Sequence, residues 1–163
     1  LRIWKNQNQI RRDLQDSPQD YQIKETRNVK VEINSNFQLS VKSNRVAVES
    51  IISNLIDNAI EHGKTDTEIL VNLGVNSSSN VYLRVTNKVG TEVNEDDLKH
   101  MFEPLWQKDA SRTSEDNFGL GLSIVDALCD AVCAEVSVTK TAEEDISFLL
   151  TFKNETVFIG VIF

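Results

Sequence analysis

The chain predicts an α+β domain with a largely antiparallel sheet. Three observations lead there. Apolar residues alternate in six short segments, longer stretches repeat them at the helical period, and strands and helices interleave along the chain with tight polar turns between some strands.

From the start, Leu1 to Asp16 is charged and Gln/Asn-rich, with Ile3, Ile10 and Leu14 loosely on one helical face, and Ser17-Pro18 breaks the run. This reads as a docking helix or linker. Between Gln22 and Ser43 the period becomes two: Val29, Val31 and Ile33, then Phe37, Leu39 and Val41 after the turn signal Asn34-Ser35-Asn36. Arg45 to His62 returns to helical spacing, with Val48, Ile51, Ile52, Leu55, Ile56 and Ala59 forming one apolar stripe. Strands follow at Glu68 to Val75 and Val81 to Thr86 around a polar Asn76 to Asn80 turn. A charged, turn-rich stretch from Asn87 to Asn117 comes next, interrupted by a short helix over Asp96 to Phe102. A helix from about Gly119 to Val132 and strands at Glu135 to Thr139 and Ile146 to Lys153 complete the order. The terminal VFIGVIF is open to two structural readings, an added edge strand or a surface packed on a partner.

A chain of 163 residues can bury a single core without disulfides or metals. Its 40% hydrophobic and 26% charged content is that of a globular protein. With 25 acidic against 17 basic residues the net charge is -8, and no dense Lys/Arg face is present to follow a phosphate backbone, so nucleic acid is not an expected partner. No run reaches the ~20 apolar residues of a membrane span. Cys129 and Cys133, four apart in an apolar helical stretch, are expected to be buried reduced thiols.

Three segments carry chemistry. Asn54 and Asn58 are poor choices for mid-helix, because their amides compete for backbone hydrogen bonds. At ~100° per residue they lie on one ridge beside the apolar stripe, continued by Glu61 and His62, and this ridge is either a solvated face or the wall of a cleft. In NFGLGLSIV, Asn117 to Val125, Gly119 and Gly121 open an apolar helix, which suits either a tight turn or a phosphate bound at a helix start, with Asn117 able to cap. In MFEPLWQKDASR, Met101 to Arg112, Phe102, Leu105 and Trp106 sit beside Lys108 and Arg112, giving an anchored loop or a lid whose cations reach an anion.

Taken in order, these segments resemble the ATP-binding catalytic domain of bacterial sensor histidine kinases, in the superfamily shared with DNA gyrase, the Hsp90 chaperones and MutL. NLIDNAIEHG resembles the N box, VTNKVG the first glycine box, MFEPLW the F box and FGLGLSIV the second glycine box, over roughly Val29 to Lys153. The resemblance implies the Bergerat ATP-binding fold over residues 21–163, a two-layer α/β sandwich with a mixed, mostly antiparallel sheet and helices on one face, and residues 1–20 as a helix or linker from a dimerisation domain. It implies ATP and Mg²⁺ as cofactors, with Asn58 as metal ligand and Asn54 as a catalytic group holding a water or phosphate oxygen. His62 would line the phosphates, and Gly119, Leu120, Gly121 and Leu122 would wrap them. Lys108 and Arg112 would close from the lid, and Asn87, Gly90, Val93 and Phe102 would complete the nucleotide site.

The implied activity is transfer of the γ-phosphoryl group to a histidine on the dimerisation domain in two-component signalling, with a response-regulator receiver domain as the further partner. Neither His62-Gly63 nor His100-Met101 fits the phosphoacceptor signature. A cytoplasmic location is expected, without direct membrane contact by this part, as the cytosolic portion of an inner-membrane sensor or otherwise. Departures from the family pattern are visible: Asn87 stands for the usual aspartate, Gly90 is the sole glycine of its box, Glu61 replaces a base, Gln107 a frequent lid arginine, and Asn117 a glycine. They motivate two rivals, a degenerate nucleotide-binding or docking module without turnover and an anti-sigma-type serine kinase. MFEPLW speaks against the latter.

Overall fold

The computed structural model describes residues 29–34, 37–39, 41–108, 119–141, 145–153 and 160–161. The elements are β1 (Val29–Asn34), β2 (Phe37–Gln38), α1 (Arg45–His62), β3 (Ile69–Val75), β4 (Val81–Lys88), α2 (Glu95–His100), α3 (Gly121–Ala131), β5 (Ala134–Lys140), β6 (Asp145–Phe152) and β7 (Gly160–Val161). The expected helix over residues 1–16, Arg112 and Asn117 lie outside the described residues.

Five strands form one sheet in the order β1-β3-β4-β6-β5, in which β1 and β3 run parallel and every other neighbouring pair is antiparallel. The sheet is therefore mixed and mostly antiparallel, as the sequence predicts. Its core-facing rows run straight across the register: Val71 opposite Val85 opposite Phe148, and Leu73 opposite Leu83 opposite Leu150, all buried. Onto this face α1 lays Val48, Ile51, Ile52, Leu55, Ile56, Ala59 and Ile60, and α3 adds Leu122, Val125 and Cys129. The apolar stripe read from the sequence is thus the seam between the layers, where burial of each large aliphatic side chain stabilises by about 1.5–3 kcal/mol.

α1 begins on Asn44, whose side chain accepts from the Ala47 N–H at 3.2 Å, and ends at Gly63, whose N–H donates to the Ala59 carbonyl. Immediately beyond, the Lys64 N–H donates to the Lys88 carbonyl at 2.7 Å, and Gly63 bridges Val89. This clamp sets the end of α1 against the end of β4.

Three expectations change and one open reading is settled. Strand β4 runs on through Asn87 and Lys88, which pair with Ile146 and Asp145; the ladder offered by β6 outweighs the turn propensity of an Asn-Lys step. Helix α3 starts at Gly121, two residues late, because Gly119 is in the left-handed region at φ 65°. The tail contributes an edge pairing: β7 is antiparallel to β2 in a separate two-stranded sheet, and β1 and β2 do not pair with each other. Finally, Cys129 is buried but Cys133 is exposed, since the helix has already ended and Cys133 turns the chain toward β5 at φ 53°. Burial, with Asp126 and Asp130 nearby, pushes the Cys129 thiol up to about 11.

Candidate functional site

The helix layer, the end of β4 and the loop after α2 enclose a cavity of about 520 Å³, a volume usual for a small-molecule site. One wall is the polar ridge of α1: Asn54, Asp57, Asn58, Glu61 and His62 all line it. The opposite wall is Gly119, Leu120, Gly121 and Leu122 at the start of α3. The ridge is therefore a cleft wall, and Asn54 faces the glycine-led helix start.

That approach is close. A Cβ on Gly121 would lie 3.1 Å from Asn54 Oδ1, so glycine is what lets α3 come this near to α1. The Asn54 amide is also fixed, since its Nδ2 donates to the Ser50 carbonyl one turn back at 2.8 Å and leaves Oδ1 toward Gly121. Asn58 is half-buried and has no side-chain hydrogen bond among the described residues. Ser53 Oγ donates to Asp57 at 3.0 Å, and Glu61 Oε2 lies 4.0 Å from His62 Nε2. Amide and carboxylate oxygens on one wall form a hard donor set of the kind Mg²⁺ prefers.

The start of α3 has the electronics of an anion site. Leu120 occupies the N-cap position and makes no side-chain cap hydrogen bond, so among the described residues the cap leaves first-turn N–H groups open at the positive end of the helix dipole beside the cavity. Gly119 is held against the preceding loop: the Leu105 N–H donates to its carbonyl at 3.1 Å, and a Cβ on Gly119 would meet the Trp106 carbonyl oxygen at 2.8 Å.

At the deep end Asn87, Val89, Gly90, Thr91 and Val93 meet Met101, Ile146 and Phe148. Asn87 is only 3% exposed, and its Oδ1 is the sole buried side-chain nitrogen or oxygen without a hydrogen bond among the described residues. A buried acceptor of this kind costs about 1–3 kcal/mol until a donor reaches it. The Val93 carbonyl is gripped by Lys140 Nζ at 2.7 Å, which ties this wall to β5.

Not every predicted residue lines the cavity. Phe102 stands behind it, edge-on to Phe148 with ring centroids 6.2 Å apart, and so supports the wall. Of the expected loop anchors, Trp106 packs half-buried on the core, but Leu105 is 67% exposed in the left-handed region at φ 64°. Lys108 lines the cavity yet its ammonium is engaged by Asp97 Oδ2 at 2.6 Å. Asp97 closes the capping box of α2 with Asn94 as well, accepting from the Asn94 N–H at 2.8 Å. Ile146, Phe148 and Met101 escaped the sequence reading because their alternating or helical spacing marks them as core, with nothing to separate a cavity floor from the rest of it.

The Lys108 and Asn94 contacts hold the Asp97 carboxyl below the usual carboxylate range, the lysine contributing most. A lowered folded-state value means stability present above the unfolded value and lost as pH falls through the folded one. Asp97→Asn is therefore expected to lower the melting temperature at neutral pH, with the difference from wild type shrinking as pH drops through and below the carboxylate range. Melting curves across that range check it; a difference independent of pH would show that Lys108 is not the relevant partner.

The chain is similar to known proteins over most of its length. The family model described as histidine kinase-, DNA gyrase B-, and HSP90-like ATPase matches residues 43–156. Sensor protein VanSC of Enterococcus gallinarum is 32% identical over 124 residues, covering 72% of this chain and 33% of its own length. Sensor histidine kinase YcbM of Bacillus subtilis is 29% identical over 116 residues, covering 71% and 37%. The chain thus spans roughly a third of the length of these curated relatives. Among solved structures, the catalytic domain of histidine kinase ThkA superposes with a TM-score of 0.70 at 21% identity, covering 91% of this chain and 92% of that one. Full-length ShkA in complex with AMPPNP gives 0.66 at 18% identity, covering 85% and 27%. These likenesses establish the fold.

Proposed function

This chain belongs to the histidine kinase-, DNA gyrase B- and HSP90-like ATPase family, and from that premise we propose that it binds Mg²⁺-ATP and donates the γ-phosphoryl group to a histidine of a dimerisation domain in two-component signalling. The observation that carries the proposal is the convergence of the Asn54–Asn58 ridge, the glycine-led start of α3 and the Asn87 acceptor, unpartnered among the described residues, on one cavity. The curated relatives, named as sensor proteins and sensor histidine kinases, support the same direction.

In this reading Asn87 receives the base amino group at the deep end, between Val93, Gly90 and the Ile146–Phe148 floor. The first-turn N–H groups at Gly121 and Leu122 bind phosphate oxygens, with Gly119 and Leu120 shaping the approach and His62 at the rim. Asn58 is the protein ligand for Mg²⁺, a cation that retains waters and shares phosphate oxygens and so accepts a single neutral amide. When bound, the metal supplies charge neutralisation for the transferring phosphoryl group. Asn54 presents Oδ1, an acceptor, beside Gly121, so it holds a water there and reaches a phosphate oxygen only through that water. Lys108, and Arg112 beyond the described residues, supply positive charge from the loop, Lys108 after leaving Asp97. What the protein contributes is positioning and charge stabilisation.

The acceptor domain, which residues 1–20 would join to the ATP-binding part at 21–163, and a response-regulator receiver are the proposed partners, with this part on the cytoplasmic side where ATP is available. Among the described residues no helix is long and apolar enough to cross a membrane. The test is nucleotide titration with and without Mg²⁺, followed by mixing with the separately produced dimerisation domain and assay for acid-labile phosphate. Binding and acid-labile label are expected; no binding of ATP or ADP at millimolar concentration sinks the proposal.

A further inference from the structure

We propose that Asp97 is an internal competitor of the nucleotide: it holds the Lys108 ammonium away from the phosphates, so that a phosphate chain gains this cation only by displacing a carboxylate. The inference rests on the nucleotide reading above and adds a residue outside the cavity that sets the affinity of the site.

Lys108 is rooted at one place and tied at another. The Leu105 N–H donates to the Gly119 carbonyl at 3.1 Å, and a Cβ on Gly119 would meet Gln107 Cγ at 3.1 Å, so the residues leading into Lys108 are packed against the approach to α3. Lys108 lines the cavity together with Gly119, Leu120 and Gly121. Its ammonium nevertheless lies 2.6 Å from Oδ2 of Asp97, a residue of α2 that does not line the cavity. The flexible lysine stem lets the charge swing while its backbone stays in place.

Asp97 cannot follow that swing. The same Oδ2 accepts from the Asn94 N–H at 2.8 Å, and Asn94 Oδ1 accepts from the Asp97 N–H at 2.8 Å, so the capping box of α2 fixes the carboxylate. The pair is also partly withdrawn from water, with the Asp97 side chain 15% and the Lys108 side chain 33% exposed, and there a charge-assisted bond resists competition better than on an open surface. Keeping both partners would bring a phosphate up to a carboxylate with one positive charge between two anions. A phosphate therefore takes Lys108 in exchange for Asp97. The exchange does not strand the carboxylate: Lys108, then the Asn94 N–H and, more weakly, Lys140 all hold the Asp97 carboxyl low, and the last two remain when Lys108 leaves. Lys140 is itself placed by its bond to the Val93 carbonyl at 2.7 Å.

The experiment is titration of the 163-residue chain with ATP in Mg²⁺, in wild type, Asp97→Asn, Lys108→Met and the double variant. Asparagine keeps an oxygen for the Asn94 N–H and removes the charge, so the cap survives while the hold on Lys108 weakens. Asp97→Asn is expected to bind ATP about three- to tenfold more tightly than wild type, as suits release of a partly exposed ion pair. In the Lys108→Met background the same substitution is expected to change ATP affinity by less than about twofold. Asp97→Asn thus loses stability and gains affinity, opposite signs that general damage does not produce. Weaker or unchanged ATP binding by Asp97→Asn overturns the proposal while leaving nucleotide binding intact. An equal gain in the Lys108→Met background overturns it too, since removing any negative charge near a polyanion would give that result without an exchange. No binding of ATP by wild type overturns the nucleotide reading itself. Should Asp97→Asn fail to fold, the Lys108 Cε resonance of wild type decides: it is expected to shift as ATP saturates the protein, and an unmoved signal overturns the proposal.

Discussion

Asn58→Ala is expected to reduce phosphoryl transfer to the acceptor domain by about 100-fold or more and to remove most of the Mg²⁺ dependence of nucleotide binding, with little change in melting temperature. The magnitude follows from losing the protein's own ligand in a site where even outer-shell partners are worth about 10–100-fold in metal affinity. The small stability effect follows from the geometry: Asn58 is half-buried on the cavity side of α1, has no side-chain hydrogen bond among the described residues, and is replaced by the best helix former. Titrating nucleotide into wild type and variant with and without Mg²⁺ separates this from general damage. A variant whose nucleotide affinity still rises with Mg²⁺ as in wild type would move the metal to another ligand, and Asp57 and Glu61 on the same wall would be next to examine.

Gly119→Ala is expected to destabilise the domain and to weaken nucleotide binding together, by a different cause. An alanine at φ 65° carries a left-handed penalty of about 1–2 kcal/mol, and its Cβ would lie 2.8 Å from the Trp106 carbonyl oxygen, a backbone atom that cannot swing aside. Relief requires the loop to part from the start of α3, which breaks the Leu105 N–H bond to the Gly119 carbonyl and opens the cavity wall. Gly121→Ala is the internal control. Its Cβ meets only Asn54 Oδ1 at 3.1 Å, a side-chain atom, so the fold should be less affected and the loss should appear in nucleotide affinity. Thermal melts and nucleotide titrations of both variants check this. Equal effects on stability would mean that the loop and α3 are not coupled through Gly119.

Much of this was legible before any coordinates. Alternation located the strands, the 3.6-residue period located α1 and α3, and six of the seven buried positions of α1 were named from spacing alone. The amide pair and the paired glycines were visible too, because a residue type that is locally unfavourable in a helix advertises a tertiary or functional reason for its presence. What spacing left open was whether the ridge of Asn54 and Asn58 faced solvent or a cleft, since either satisfies an amphipathic helix.

Local patterning was sufficient for the α+β order of elements and for singling out the amide pair and the paired glycines, because side-chain period and backbone preference act over a few neighbouring residues. Tertiary structure decided that β4 runs on through Asn87, that Cys133 lies exposed beyond the end of α3, that Phe148 reaches the cavity floor and that Lys108 pairs with Asp97. Each of these depends on a partner distant along the chain or on the precise point where an element ends. A periodicity says which face of a segment is apolar, whereas the register between segments decides what that face meets.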